Sequence, residues 1–221
     1  MRTYDQYCAI ATALDAVGDR WTLLIVRELM IRERCRYTDL RNGLPGVAAN
    51  LLVGRLHELE ERGLITREEA PPPIATTLFR LTPRGKALEP VLSALGAWGA
   101  PLLAEAPTHA PFQTHWWVLP LEWRLRDQAP DLPPVTIEIR TGDEPIQIDT
   151  LDGGVRVRPG SALDPDAILS GPPPVIAQVL MWGLDLSTAQ KRGLDFEGDP
   201  EAVRRVARPT THGLSPALDT Q

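Results

Sequence analysis

The sequence predicts an α+β protein, and two residue patterns along the chain indicate this class. From Cys8 to Leu103, apolar residues recur mainly at the 3.6-residue spacing of helices. From Val135 to Arg158 they alternate with polar residues in short runs, split by turns rich in glycine and aspartate, which is typical of an antiparallel sheet. A stretch with two prolines and no periodicity, residues 105–112, lies between the two patterns and is predicted to be a linker.

Two helices are predicted at the start of the chain. The first covers Cys8 to Val17, and the second runs from Trp21 to about Ile31 with apolar residues on most of its surface. Asp19 is well placed to cap the second helix, because a carboxylate can accept from the free N–H groups of a first turn. The charged run 32–36 that follows is predicted to be a solvated turn.

The stretch from Tyr37 to Arg62 predicts a helix-turn-helix. A short helix over Tyr37–Asn42 ends at the breaker cluster Gly43-Leu44-Pro45-Gly46. A second helix runs from Ala49 to Arg62, with Gly63 as the residue that ends it. The spacing of its apolar residues predicts one buried stripe, formed by Leu52, Leu56 and Leu59.

A β-hairpin is predicted directly after this pair of helices. Two strand-like runs, Leu64–Arg67 and Leu78–Leu81, are joined by the proline-rich connector Ala70–Thr77. A short helix, a turn, a second helix and a hairpin, in that order, is how winged proteins hold a helix in the major groove. The sequence therefore predicts a winged helix-turn-helix domain over residues 1–104 that binds double-stranded DNA.

The side of the second helix opposite its leucines is predicted to face the bases. Its residues are Asn50, Val53, Gly54 and His57. Asn50 is the residue able to bond adenine in the bidentate manner. The candidates for phosphate contacts are Arg36, Arg41, Arg55 and Arg67. Arg55 could equally pair with Glu58 or Glu61.

A third long helix is predicted over Thr82–Leu103, with Thr82 as its cap and Pro83 in its first turn. It carries a continuous apolar stripe of Leu88, Val91, Leu92, Leu95 and Trp98. Pairing of this stripe with a second copy predicts a homodimer, whose two-fold symmetry would match a palindromic operator. The alternative is that the stripe packs against the second half of the same chain.

Composition limits the number of domains and the class of protein that the chain can form. The 221 residues are 43% hydrophobic, enough for two domains that each bury a core. Residues 1–104 hold 13 Lys and Arg against 12 Asp and Glu, a net charge of +1. The rest hold 10 against 17, a net charge of −7. Neither a membrane span nor a signal peptide is indicated, so a cytoplasmic protein is expected.

Metal, cofactor and enzyme sites are not predicted. The two cysteines, Cys8 and Cys35, are too few for a disulfide framework or a zinc site of the usual spacing. The histidines have no cysteine or carboxylate at ligand spacing, and nucleophile-elbow, zinc-protease and phosphate-loop motifs are absent from the sequence. The sequence therefore favours a binding protein over an enzyme.

Six short motifs occur in order within residues 1–104: Cys8-Ala9-Ile10, Gly18 to Ile25, Tyr37 to Leu40, Leu44-Pro45-Gly46, Arg55 to Glu60 and Leu81 to Gly85. With them the segment resembles the HxlR-type regulators, relatives of the MarR winged-helix proteins. The resemblance implies a homodimeric, DNA-binding transcription factor that answers to small molecules or oxidants. The sequence departs from the family pattern at the recognition helix. Val47-Ala48-Ala49 stands where a serine cap is usual, Gly54 is inside the helix, and the wing tip Pro71-Pro72-Pro73 has no basic residue.

The same resemblance makes Cys8 a candidate redox sensor, because some family members use a cysteine at this place as a thiol sensor. A sensing thiol needs a lowered pKa and exposure to solvent, and the sequence shows neither. Cysteine is also among the most buried residue types, so a small apolar role in the core is the alternative.

In the second half the predicted strands are Val135–Arg140, Pro145–Asp149, Gly154–Arg158 and Leu194–Glu197. The predicted helices are Pro173–Leu184, a short one capped by Ser187 that ends at Lys191, and a last one from Asp199 to about Ala207. Residues 209–221 are predicted to be disordered. The runs that carry a second resemblance are Leu163–Leu169, Asp185–Lys191, Leu194–Pro200 and Ala202-Val203.

With these runs, residues 113–208 resemble a sterol-carrier-protein-type domain. The resemblance implies an α/β domain, an antiparallel sheet backed by helices around an apolar tunnel for hydrophobic molecules. The candidates to bind a hydrophobic small-molecule effector are then Trp116, Trp117, Trp123, Met181 and Trp182. Packing in the domain's own core is the alternative for each of them.

Together these features predict a ligand-responsive transcriptional regulator. It would bind DNA through the first domain and a hydrophobic effector through the second. The alternative is a carrier of lipids or other hydrophobic molecules whose winged domain serves only dimerisation or protein contact. Salt dependence separates the two, because phosphate contacts release counterions and a protein-contact module has no reason to do so.

Overall fold

The structure is a computed structural model that describes residues 3–71, 76–105 and 110–207. The chain divides into two compact units, Met1–Leu95 and Gly96–Gln221. The predicted disorder of residues 209–221 lies outside the described residues, as does much of the predicted linker. In the part of the chain that is described, no helix combines the length and the apolar character that crossing a membrane requires.

The first unit is a winged helix-turn-helix. Its helices are α1 (Ala9–Val17), α2 (Thr22–Arg32), α3 (Tyr37–Gly43), α4 (Ala49–Glu61), α5 (Pro83–Lys86) and the start of α6 (Glu89–Gly99). Its strands are β1 (Cys35–Arg36), β2 (Ile65–Glu69) and β3 (Thr77–Leu81). Helices α3 and α4 and the β2–β3 hairpin follow one another as the sequence predicts. The stripe of Leu52, Leu56 and Leu59 is buried, so this part of the prediction is confirmed.

Strand β1 lies within residues 32–36, where the sequence predicts a solvated turn, so that prediction is wrong for Cys35 and Arg36. Cys35 is fully buried and lies opposite Phe79 of β3, and the sheet has the order β1-β3-β2 with antiparallel pairs. A strand of two residues is too short to show an alternating pattern. Its partner is more than 40 residues away, so local sequence contains no signal for it.

The predicted cap of the second helix is wrong. Helix α2 begins after Trp21, whose φ of 80° is left-handed, and no side chain accepts a hydrogen bond there. The backbone carbonyl of Asp19 accepts from Thr22 N, whereas the Asp19 carboxylate accepts from Arg55. The Asp19 carboxylate therefore binds Arg55 of α4 and does not cap α2.

The predicted long helix over residues 82–103 is broken. Thr82 does cap its start, because its Oγ1 accepts from Gly85 N at 3.1 Å. Helix α5 nevertheless ends at Lys86, and α6 begins anew at Glu89. Pro90 has no N–H to donate to a preceding turn, so it fits the first turn of a new helix better than the interior of a long one. A 3-10 helix, Ala100–Glu105, follows α6.

The second unit is a five-stranded mixed sheet with helices. Its helices are α7 (Val118–Arg124), α8 (Pro173–Trp182), α9 (Leu186–Lys191) and α10 (Pro200–Val206), and a 3-10 helix covers Thr114–Trp117. Its strands are β4 (Thr136–Arg140), β5 (Ile146–Leu151), β6 (Gly154–Pro159), β7 (Ala167–Ser170) and β8 (Asp195–Gly198). The strand order is β6-β5-β4-β7-β8, and only the β4–β7 pair is parallel among the described strands.

The predicted meander is confirmed as β4–β5–β6, and three further elements were missed: the 3-10 helix over Thr114–Trp117, α7 and β7. Asp199 caps α10 by accepting from Glu201 N at 2.9 Å. The cap of α9 is Asp185 rather than the predicted Ser187, because its Oδ1 accepts from Thr188 N at 2.9 Å. Ser187 Oγ donates to the same oxygen at 2.6 Å. These bonds to the charged form hold the pKa of Asp185 far below its usual range.

A buried ion pair ties α10 to the loop after α7. Arg205 donates to both carboxylate oxygens of Asp127, from Nε at 2.6 Å and from Nη2 at 2.7 Å. It also donates to the backbone carbonyls of Leu132 and Pro133. The side chains are 8% and 3% exposed, so this cation and its acceptors form one closed network within the unit.

Candidate nucleic-acid interface

The outer face of α4 is the candidate surface for contact with DNA. The four residues predicted to face the bases, Asn50, Val53, Gly54 and His57, are all exposed. The buried leucines of the same helix lie on its opposite side. The structure therefore brings the four residues onto one open face, and their contact with bases remains a prediction.

The start of α4 lacks a capping side chain, as the sequence predicts. Ala48 is the N-cap residue and provides no side-chain acceptor. The Asn50 Oδ1 accepts instead from the backbone N–H of Leu51 at 2.9 Å. This oxygen would have to exchange that bond for the N6 amino group of an adenine. Such an exchange between two hydrogen bonds is nearly balanced in free energy, at about 1 kcal/mol per bond.

Gly54 leaves the middle of this face open. A Cβ atom placed on it would meet no heavy atom within 4 Å. A glycine here weakens the helix by about 1 kcal/mol against alanine. In return, the helix backbone can approach a ligand more closely than any side chain would allow.

Two of the four predicted phosphate contacts are engaged within the protein. Arg55 donates to Asp19 at 2.5 Å and also to Glu58, and its side chain is only 19% exposed. Of the two partners left open by the sequence, the structure selects Glu58. Arg67 donates to Glu60 at 2.8 and 2.9 Å, and this bonding lowers the pKa of the Glu60 carboxyl. A phosphate contact by Arg55 or Arg67 would have to break these pairs.

The other two predicted contacts are available. Arg36 and Arg41 are exposed, and neither forms an ion pair within the described residues. Arg34, just before β1, and Arg80, in the paired strand β3, instead share Glu68, at 3.3 and 3.4 Å. Arg36 and Arg41 are therefore the best placed of the predicted set to neutralise phosphates.

A buried carboxylate supports the turn between α3 and α4. Glu28 of α2 has no exposed surface, and Arg27 donates to its Oε1 at 3.0 and 2.7 Å. The Glu28 Oε2 lies so close to Gly43 that a Cβ atom there would be 2.2 Å away. Arg27 also reaches the carbonyl of Gly43, at 3.4 Å. Burial lowers the pKa of Arg27, and the charge of Glu28 opposes this shift. The pair thus fixes the end of α3.

Cys8 has the two properties that its sequence could not show. It is exposed, at the N-cap position of α1, and the backbone N–H groups of Ala11 and Ile10 lower the pKa of its thiol. It lines a groove of about 660 Å³ together with Tyr7, Ala16, Leu64, Arg84 and Leu88. Cys35, in contrast, is buried, which raises the pKa of its thiol to about 12.

Alkylation should therefore distinguish the two thiols. With iodoacetamide at neutral pH, we expect a single adduct, at Cys8, because the thiolate is the nucleophile and only Cys8 is both exposed and of lowered pKa. Mass spectrometry of the intact protein and of its peptides measures this. Cys8→Ser should abolish the adduct and Cys35→Ser should leave it unchanged. Modification of Cys35 in the folded protein would contradict the expectation.

The five residues predicted to bind an effector lie on three helical segments. Trp116 and Trp117 belong to the 3-10 helix, and Trp123 to α7, and both segments pack against β6. Met181 and Trp182 end α8, which packs against α9. A depression of about 570 Å³ in the same unit is lined by polar residues such as Glu138, Arg140 and Asp143, and by none of the five. Their joint role in binding remains a prediction.

Comparison with known proteins covers the first half of the chain. Residues 16–106 match the HxlR-like helix-turn-helix family. The chain is 34% identical to an HTH-type transcriptional regulator of Synechocystis over 98 residues, which is 44% of this chain and 72% of that protein. It is 34% identical to the HTH-type regulator YvaP of Bacillus subtilis over 86 residues, 39% of this chain and 79% of that protein. The chain belongs to the HxlR-like helix-turn-helix family.

A solved structure is also similar, the reduced form of the transcriptional regulator YodB from B. subtilis. It is 26% identical and covers 46% of this chain and 100% of its own, with a TM-score of 0.40. Members of the HxlR-like family are transcriptional regulators, which are not enzymes. The family match ends at residue 106, so the sterol-carrier-type resemblance of the second unit is not confirmed.

Proposed function

We propose that this HxlR-like protein is a dimeric transcriptional regulator that binds a palindromic operator in double-stranded DNA. The observation that carries the proposal is the exposed face of α4, the helix that lies in the chain between the turn at 43–46 and the β2–β3 hairpin. Asn50 supplies base recognition there, and Arg36 and Arg41 supply phosphate contacts. Family membership supports the regulatory role.

Selection from random duplex DNA tests this proposal. The purified protein should enrich one sequence, and Asn50→Ala should relax the preference at one base pair of each half-site, weakening binding there by about 1–3 kcal/mol. Arg41→Ala is the matched control, because it should weaken binding to all sequences alike. It should also reduce the slope of log affinity against log salt by about one for each arginine removed. No enrichment, or a flat salt dependence, would favour the alternative of a hydrophobic-molecule carrier.

The proposed dimer interface is an exposed apolar face of the first unit. Ile10 and Leu14 on α1 are 72% and 45% exposed, and Val91 and Leu95 on α6 are 47% and 48% exposed. Leu92, which the sequence analysis included in the stripe, is only 9% exposed and packs within its own chain. Four large apolar side chains exposed on two helices of one unit favour a second copy as their cover.

The double substitution Val91→Glu with Leu95→Glu should convert dimers to monomers, because burying two carboxylates in an apolar contact is unfavourable by several kcal/mol. Sedimentation velocity measures the mass in solution. Leu163→Glu is the matched control, since Leu163 is fully exposed and lies far along the chain. A dimer that persists in the double variant would place the interface elsewhere.

Control by a hydrophobic effector is the remaining part of the proposal, and the partly exposed tryptophans of the second unit support it. Titration of apolar compounds should change their fluorescence. If the effector regulates DNA binding, operator DNA must change effector affinity by the same factor that effector changes DNA affinity, typically about 5- to 150-fold. Equal effector affinities with and without operator would leave two independent binding activities.

A further inference from the structure

The exposed face of α4 carries apolar groups where its helix would meet base edges. Two apolar side chains of α4 are exposed to solvent: Val53 is 56% exposed and Leu51 is 36% exposed. Gly54 stands beside Val53 and offers no side chain. The centre of this face can therefore make close apolar contact but has few hydrogen-bonding groups.

This face of α4 has few groups that could recognise a guanine. Its usual partner is an arginine or lysine that donates to both O6 and N7. The sole arginine of α4, a helix described throughout, is Arg55, which is held by Asp19 and Glu58. His57, the other basic residue of the helix, has its Nδ1 at 3.4 Å from Glu61. The side chains of this face that form no ion pair within the described residues are Asn50, which suits adenine, and Val53.

The spacing of Asn50 and Val53 suits neighbouring base pairs. Three residues of helix advance about 4.5 Å, and successive base pairs are about 3.4 Å apart. In the major groove, the only apolar group that distinguishes one base from the others is the 5-methyl group of thymine. An exposed valine near an adenine-reading asparagine is therefore complementary to a thymine one step away.

We propose that Val53 contacts the 5-methyl group of a thymine next to the base pair read by Asn50. Each operator half-site then contains two adjacent A·T pairs. The open backbone at Gly54 allows the helix to approach the groove closely enough for this contact. The inference rests on the proposed DNA-binding function and specifies its ligand.

Deoxyuridine in place of thymidine tests the contact, because it removes the methyl group and leaves base pairing intact. The selected operator is synthesised with each thymidine replaced in turn, and affinity is measured by fluorescence anisotropy. We expect one position per half-site at which the replacement weakens binding about fourfold, the value for one buried carbon group. Replacement in both half-sites should weaken it about 15-fold.

Substitutions of Val53 test whether this residue causes the loss of affinity for the deoxyuridine operator. Val53→Ala, which loses both γ-methyl groups, should reduce the difference between the thymidine and deoxyuridine operators at that position, whereas Val53→Thr, which keeps one γ-methyl group, should retain most of it. Both variants should unfold at the wild-type temperature, because the side chain is mostly exposed. That measurement separates a lost contact from a lost fold.

The outcomes are distinct. If selection enriches no sequence at all, the proposed function fails and the inference fails with it. If a sequence is enriched but every deoxyuridine operator binds as well as the parent, the DNA-binding function stands and the methyl contact is wrong. A deoxyuridine effect that persists undiminished in Val53→Ala would show that another residue reads the methyl group, which also overturns the assignment.

Discussion

Replacing Arg205 by alanine is expected to destabilise the second unit by about 3–5 kcal/mol, a large share of the roughly 5–15 kcal/mol that holds an ordinary domain together. The substitution leaves Asp127 charged and buried, with its partner gone. It also removes the donors to the Leu132 and Pro133 carbonyls. Urea unfolding followed by the fluorescence of Trp116, Trp117 and Trp123 measures the change.

The adjacent residue provides the control. Arg204 also pairs with a carboxylate, Glu201, but their side chains are 63% and 69% exposed. Arg204→Ala should therefore change stability by no more than about 0.5–1 kcal/mol. If the two substitutions had equal and small effects, the Asp127–Arg205 network would not be the anchor of α10.

The same pair should make the second unit sensitive to acid. Hydrogen bonds from Arg205 hold the pKa of Asp127 below its usual value. A carboxyl whose pKa is lower in the folded state contributes its full stability above the unfolded pKa, about 3.9. That contribution is lost as the pH falls below 3.9 and through the folded pKa. Stability of the wild type should thus fall more steeply over this range than stability of Arg205→Ala.

Replacing Glu28 by alanine should have the largest effect on the first unit, about 3 kcal/mol. Arg27 would lose the buried oxygen that accepts two of its hydrogen bonds, and the space beside Gly43 would be left empty. Because that contact fixes the end of α3, and α4 follows the same turn, DNA affinity should fall even at temperatures where the variant is folded. Circular dichroism measures stability, and anisotropy with the selected operator measures binding.

Two variants make this test specific. Glu28→Gln keeps the shape and one acceptor oxygen, so it should recover part of the DNA affinity. Glu60→Ala removes a carboxylate that pairs with Arg67 at the surface, where the expected change is about 0–1 kcal/mol. If Glu28→Ala bound the operator with wild-type affinity, the buried carboxylate would have no part in placing α4.

The sequence predicted well those elements that bury one face of a helix or a strand. The stripe of Leu52, Leu56 and Leu59 repeats over several turns, and the meander of β4, β5 and β6 alternates over enough residues to be recognised. These patterns arise from contact with a core, and they do not depend on which partner provides it.

What the sequence could not predict depends on pairs of residues far apart in the chain. The Asp19 carboxylate could cap α2 or accept a hydrogen bond from Arg55. Only the folded structure shows that it accepts from Arg55. The 35–36 strand exists because Phe79 lies opposite Cys35. For the interface, the sequence placed Asn50 and Val53 on the exposed side of α4. It could not show that Arg55 and Arg67 are engaged by nearby carboxylates.

Because Gly43 contacts the Glu28 carboxylate, the substitutions that evolution can accept at position 43 depend on the residue at position 28. Any side chain at position 43 would occupy space that the carboxylate already fills, since its Cβ would lie 2.2 Å from Oε2. A mutation of Gly43 alone should therefore be selected against. It should become tolerable only after Glu28 has been replaced by a residue with a shorter side chain. Among descendants of this protein, a side chain at position 43 should be found only where position 28 already holds a shorter residue, and a sequence with alanine at 43 and glutamate at 28 should be rare.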